Sequence, residues 1–197
     1  MTLANKITIV RILLVPFFIL EILLYQRTGD GWHRWLGLAL FAGVSLSDAL
    51  DGYVARRFAQ RSELGAILDP LADKLLLVSA VLLLSIRNPH LPVLPFWLTL
   101  TILSRDVLLV IGLVLLHVTT GSAPVRPRLE GKVATVLQMA AVVWTLLALP
   151  ERGGVYVAGA ATLMTLVSGL RYLGDGVARL STSPGSGPTP GQPDPRQ

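Results

Sequence analysis

Long apolar runs with little alternation dominate this chain. The first, ITIVRILLVPFFILEILLY, falls in residues 7–26, and others follow at about 35–56, 66–86, 95–117, 132–149 and 154–173. Each approaches the ~20 residues that an α-helix needs to cross a ~30 Å hydrocarbon core. Inside lipid the backbone has to satisfy its own polar groups, which a helix does. The pattern predicts an all-α integral membrane protein with six transmembrane helices. Pro16 is expected to kink the first of them. That run is too long for a signal-peptide core, and no small-residue cleavage site follows it, so it is read as part of the mature protein.

The polar breaks between the runs set an orientation. Lys6, Arg11, Arg56, Arg57, Arg61, Arg126, Arg128, Lys132, Arg171 and Arg179 fall on one side, against Arg27, Arg34, Arg87 and Arg152 on the other. Cytoplasmic loops collect Lys and Arg, so both termini are expected in the cytoplasm of a multi-pass cell (inner) membrane protein. Trp32, Trp35, Trp97 and Trp144 map near the opposite, outer ends, where an indole prefers the interface. Residues 1–175 read as one transmembrane domain. Residues 176–197, ending in STSPGSGPTPGQPDPRQ, are too rich in Pro, Gly and Ser to bury a core and are expected to form a disordered tail.

Composition agrees: 52% hydrophobic and only 15% charged residues, with a mean hydropathy of +0.62, lie outside the range of ordinary soluble domains. The net charge of +5 is spread between apolar segments and forms no continuous patch, so nucleic acid is not an expected partner. The chain has no cysteine, which excludes disulfides, thiolate metal sites and a Cys nucleophile.

Acid is scarce and unevenly placed. Of 12 Asp and Glu residues, five fall within SLSDALDGYVARRFAQRSELGAILDPLADKLLL, four of them the aspartates Asp48, Asp51, Asp69 and Asp73. They lie at the cytoplasmic ends of spans two and three. Asp48 and Asp51 are three apart, Asp69 and Asp73 four apart, so each pair shares a helix face. A charged side chain within a membrane helix costs roughly 2.5–3.5 kcal/mol near the centre, and four carboxylates also repel one another. Oxygen-only donors without His or Cys suit a hard cation, Mg²⁺ or Mn²⁺, and four carboxylates have room for two ions. Such sites commonly hold phosphate oxygens on both sides of a phosphoryl displacement. The alternative is a set of interfacial ion pairs with Arg56, Arg57, Arg61 and Lys74. Gly52, placed inside a helix where it costs about 1 kcal/mol relative to Ala, favours close approach of a ligand or backbone.

DALDGYVARRFAQRSELGAILDPLAD resembles the signature of the CDP-alcohol phosphatidyltransferases, Asp-x2-Asp-Gly-x2-Ala-Arg-x8-Gly-x3-Asp-x3-Asp, with every fixed position filled. The resemblance covers about residues 4–175. It implies transfer of a phosphatidyl group from CDP-diacylglycerol to the hydroxyl of a polar alcohol, with release of CMP, at the bilayer. By position, it implies that Asp48, Asp51, Asp69 and Asp73 bind two divalent metals and that Asp73 is also the general base. Asp48, Gly52, Ala55, Arg56 and Gly65 would form the CDP pocket. A homodimer is expected from the resemblance alone.

The acceptor is less sharply marked. NKITIVRILLVPFF and LDPLADKLLL look like family members that use glycerol 3-phosphate, which is the first expectation. TILSRDVLLV and RPRLEGKVATVLQM are similar both to those and to members that use phosphatidylglycerol, the second expectation; inositol phosphate is the third. Arg105, an intramembrane charge beside Asp106, is a candidate acceptor ligand, the alternative being a pair that only holds helices. Arg126, Arg128, Lys132, Thr8 and Arg11 are further candidates, with positive-inside anchoring as the alternative for the basic ones. Two other classes remain. A membrane prenyltransferase would need two separated Asp-rich motifs, and a cation transporter would not need Gly52, Ala55, Arg56 and Gly65.

Overall fold

The computed structural model describes the backbone of residues 3–58, 63–120 and 129–181, and the side chains of residues 10–47, 74–112, 114 and 129–174. Among the described residues there are six helices and no strand: α1 (Leu3–Thr28), α2 (Gly31–Phe58), α3 (Glu63–Ser85), α4 (Phe96–Thr120), α5 (Leu129–Leu146) and α6 (Glu151–Ser181). Each apolar run of the sequence becomes one helix. α1 continues unbroken through Pro16, and α6 reaches Ser181, past the boundary expected at 175.

The turn from α1 to α2 shows how local chemistry sets an element's limits. Gly29 takes a left-handed φ of 72° and its N–H donates to Tyr25 O at 2.8 Å, closing α1. Asp30 then caps α2, its Oδ1 accepting from Trp32 N at 3.0 Å. A Cβ on Gly29 would stand 2.7 Å from His90 Cε1, so the α3–α4 connection also requires glycine here. That connection is tied to α1: Tyr25 donates to His90 O at 3.0 Å, Asn88 Nδ2 to Gln26 O at 3.1 Å, and Gln26 Nε2 to Leu83 O at 2.9 Å. The ends of α1 and α3 are therefore together, so these two helices run parallel and α2 runs antiparallel to both.

α1 lies along α2 and α3, α5 along α6, and α4 along α6. The core takes Val15, Phe18, Ile22 and Tyr25 from α1, a three-and-four spacing that meets Phe41 and Val44 of α2 and Leu76, Ala80, Val81 and Leu84 of α3. Small residues let α5 and α6 approach: Ala134, Ala141, Ala158 and Ala161 are all buried. Buried Gln138 donates to Thr165 Oγ1 across that seam at 2.8 Å.

The outward faces are apolar as well. On α1, Val10, Leu13, Phe17, Leu20 and Leu23 are about half exposed, and on α4 Val107, Val110, Ile111 and Val114 are too. Apolar stripes of this length on the outside mark a surface that lipid or another protein covers. By length and composition, Leu129–Leu146 and Glu151–Gly174 are long and apolar enough to cross a membrane.

Candidate active site

The aspartates of the signature occupy the facing ends of α2 and α3. Asp48 stands ten residues before the end of α2 at Phe58, and Asp73 ten residues after the start of α3 at Glu63. At about 1.5 Å per residue both lie about 15 Å from the connection between these helices. Asp51 and Asp69, seven and six residues from the same ends, are level with each other about one turn nearer the connection. The hairpin thus brings the four positions together as two level pairs about one turn apart. Gly52, Ala55 and Arg56 follow on α2, and Gly65 opens α3. The side chains of all eight positions lie outside the described residues.

Arg11 joins this level from α1. It stands 17 residues before Thr28, as Asp48 stands 17 after Gly31, and its side chain is buried, 2% exposed. Ser45, three residues before Asp48 on α2, has a buried hydroxyl with no hydrogen-bond partner among the described residues. Sequence reading passed over it, although the spacing in SLSD puts Ser45 and Asp48 on one face.

Beside Asp73 the described side chains form a polar junction of four helices. Lys74 of α3 forms an ion pair with Asp106 of α4. Asp106 Oδ1 also accepts from Arg105 Nη1 at 3.3 Å. Arg105 Nη2 reaches Ser168 Oγ of α6 at 3.4 Å, and Gly131 of α5 leaves room for it: a Cβ there would stand 3.2 Å from Nη2. One turn beyond Ser168, Arg171 donates to Glu130 of α5. The Arg105 and Asp106 side chains are only 16% and 17% exposed. Arg105 Nε is enclosed with no hydrogen-bond partner among the described residues, an orphan donor of the kind that calls for a ligand or solvent acceptor.

The candidate acceptor residues therefore divide. Arg105 and Gly131 meet at the junction, and Lys132, next to Gly131, is exposed. Arg11 is level with the aspartates. Thr8 is on α1 with its side chain outside the described residues, and Arg126 and Arg128 lie outside them altogether. Arg105 and Asp106 do pair, as the helix-holding alternative requires, yet Asp106 is shared with Lys74 and Arg105 Nε has no partner among the described residues. Lys74 is expected from the sequence as an ion-pair partner of the signature aspartates, and among the described residues it pairs with Asp106; the part of Ser168 was not legible, a hydroxyl within an apolar span being its only signal.

Comparison with known proteins agrees with this geometry. Residues 1–170 match the family model for CDP-alcohol phosphatidyltransferase. A probable phosphatidylglycerophosphate synthase of Mycobacterium tuberculosis is 36% identical over 180 residues, covering 87% of this chain and 79% of the relative. The CDP-diacylglycerol–glycerol-3-phosphate 3-phosphatidyltransferase of Escherichia coli K12 is 32% identical over 174 residues, 85% and 90% of the two chains. A cardiolipin synthase (CMP-forming) of Streptomyces coelicolor is 37% identical over 140 residues, 68% of this chain and 60% of the relative. With the signature filled, its two halves level on α2 and α3, and the match running through nearly all six helices, the chain belongs to the CDP-alcohol phosphatidyltransferase family.

Proposed function

We propose that this chain transfers the phosphatidyl group of CDP-diacylglycerol to glycerol 3-phosphate, forming phosphatidylglycerophosphate and CMP in phospholipid biosynthesis. The observation that carries this reading is the level placement of Asp48 with Asp73 and Asp51 with Asp69, in a chain whose relatives over most of its length include two enzymes named for that product or acceptor. The six helices span the membrane, both termini face the cytoplasm, and the site opens at that leaflet, where a lipid-borne CDP group and a soluble acceptor can meet. A homodimer is expected from family resemblance.

Four carboxylates in two level pairs, without His or Cys, fit Mg²⁺ or Mn²⁺ by the chemistry of the donor set. Asp48, Asp51, Asp69 and Asp73 would hold two ions, which when bound neutralise charge on the diphosphate and stabilise CMP as it leaves. Gly52, Ala55 and Gly65 admit the nucleotide for want of bulk, and Arg56 counters diphosphate charge. Asp73 takes the proton of the acceptor hydroxyl as the new P–O bond forms and the bond to CMP breaks. Arg105, with its unused donor, and Lys132 bind the acceptor's phosphate; Thr8, Arg11, Arg126 and Arg128 are the remaining cationic or polar groups assigned to that pocket.

A second reading, with phosphatidylglycerol as acceptor, is favoured by the 37% identity to the Streptomyces coelicolor cardiolipin synthase. One experiment separates the two. Purified protein in detergent is given CDP-diacylglycerol and Mg²⁺ with glycerol 3-phosphate, phosphatidylglycerol or inositol phosphate, and CMP is measured. Release with glycerol 3-phosphate, abolished by EDTA and restored by Mg²⁺, is expected. Release with another acceptor alone would overturn the assignment of acceptor, and no release with any would overturn the reaction.

A further inference from the structure

The two adjacent charges of α4 have different neighbours. Arg105 lies against Gly131 of α5 and Ser168 and Gly169 of α6, whereas Asp106 takes Lys74 of α3 while also holding Arg105 Nη1 at 3.3 Å. Asp106 therefore sits between the helix that carries Asp69 and Asp73 and the guanidinium on α4. We propose that Asp106 is a positioning residue, whose shared carboxylate fixes the spacing and rotation of α3 relative to Arg105; this rests on the assignment of Arg105 to the acceptor's phosphate.

α4 lies chiefly along α6. Where α3 ends and α4 begins, Ser85 of α3 bonds Thr99 of α4, and Leu94 N of the connection donates to Leu84 O at 2.9 Å. Lys74 with Asp106 makes the second tie, 11 residues back along α3 from Ser85. The buried packing of Leu76, Ala80 and Leu84 sets the rotation of α3 against α1, and the second tie sets it against Arg105 of α4. Position 73 stands about 100° round the helix from position 74, so the tie engages α3 without occupying the aspartate face. A turn of about 10° at the ~5–6 Å radius of a helix's side-chain surface displaces a group by about 1 Å, a misplacement that can cost about 10²-fold in rate. Lys74 is half-exposed, but Asp106 and Arg105 are only 17% and 16% exposed, so the Asp106 carboxylate would be a poorly solvated unpaired charge without its two cations.

The test is steady-state CMP release by the full chain, with the acceptor that supports turnover, for Asp106→Asn, Asp106→Glu, Lys74→Met, the Asp106→Asn/Lys74→Met pair and Arg105→Ala, alongside thermal unfolding of each. Asp106→Asn should raise the acceptor KM by about 10-fold or more, the scale seen when an orienting partner is lost, and lower kcat, with KM for CDP-diacylglycerol within about 2-fold of the parent. Added positive charge alone would instead tighten phosphate binding. Asp106→Glu should recover part of the loss, and the double variant should be no worse than the worse single one, because both break the same tie. Parental acceptor KM in both Asp106→Asn and Lys74→Met would overturn the proposal, as would additive losses that track melting temperature. If Asp106→Asn fails to fold, Asp106→Glu and Lys74→Met decide. A parental acceptor KM in Arg105→Ala removes the phosphate assignment itself; a raised one there, with Asp106→Asn and Lys74→Met unchanged, removes only the role of Asp106.

Discussion

Replacing Gly131 by alanine should separate stability from acceptor binding. An added Cβ would stand 3.2 Å from Arg105 Nη2 and 3.5 Å from Ser168 Oγ. The first distance is inside the ~3.5–4.0 Å of ordinary contact, so the guanidinium must retreat by a few tenths of an ångström. Its bond to Ser168, already long at 3.4 Å, would not survive that retreat. Losing a hydrogen bond from a charged donor is worth about 1.5–3 kcal/mol. At this length the lower end applies, and about 1.5 kcal/mol is roughly tenfold in an equilibrium constant. The fold should change little, because what yields is the end of a flexible side chain and the lost bond is largely offset by the up to about 1 kcal/mol by which alanine favours a helix over glycine. Gly131→Ala is therefore expected to melt within a few degrees of the parent and to show a roughly tenfold higher acceptor KM, with KM for CDP-diacylglycerol unchanged. Thermal unfolding in detergent and CMP release against acceptor concentration measure both. A parental acceptor KM would refute the placement of Arg105 in the acceptor pocket, and a lower melting temperature with an equal loss for both substrates would show Gly131 to be purely a packing residue.

Asp73→Asn should keep fold and CDP-diacylglycerol binding but lose about 10²–10⁴-fold in turnover, the usual contribution of a positioned base; CMP release near the parent's rate would remove Asp73 from that role. At the opposite end of the molecule, Gly153→Ala should destabilise without touching chemistry. Its Cβ would clash with the Trp144 ring, whose Nε1 donates to Pro150 O at 3.2 Å, and overpacking of this kind costs about 1–3 kcal/mol. A melting temperature equal to the parent's would contradict that packing.

The helices were legible because apolar length alone predicts them, but their limits follow caps and not hydropathy. α2 starts at Gly31, before the apolar run expected from 35, because Asp30 supplies the acceptor for its first turn. α6 begins at Glu151, where the N–H groups of Gly153 and Gly154 donate to Pro150 O at 3.1 and 3.3 Å. Which helices would touch was not legible. Hydropathy reports that a face is apolar and is silent on whether lipid or another helix covers it: Phe17 is 58% exposed and its neighbour Phe18 fully buried. The preference of α4 for α6 depends on small residues such as Gly112, where a Cβ would meet Tyr172 at 3.2 Å.

The same division explains what could be read of the site. The four aspartates lie on two helices joined by a short connection, so spacing along the chain translates directly into depth, and Asp48 must stand level with Asp73. The acceptor side is assembled from α3, α4, α5 and α6, whose mutual placement no local spacing encodes. Its charge can be counted only in the folded chain. Lys74 is countered by Asp106 and Arg171 by Glu130, while Arg105 shares Asp106 and keeps Nε unused, and Lys132 is exposed with no ion pair among the described residues. Two cations with donors to spare suit the doubly charged phosphate of glycerol 3-phosphate, since a guanidinium and an ammonium can share its oxygens. The phosphodiester of phosphatidylglycerol carries one charge and would leave one of them uncompensated beside an apolar layer. On the proposed reading the acceptor is selected by which basic residues keep donors for it among the described residues, and in the sequence Lys74, Arg105, Lys132 and Arg171 look alike.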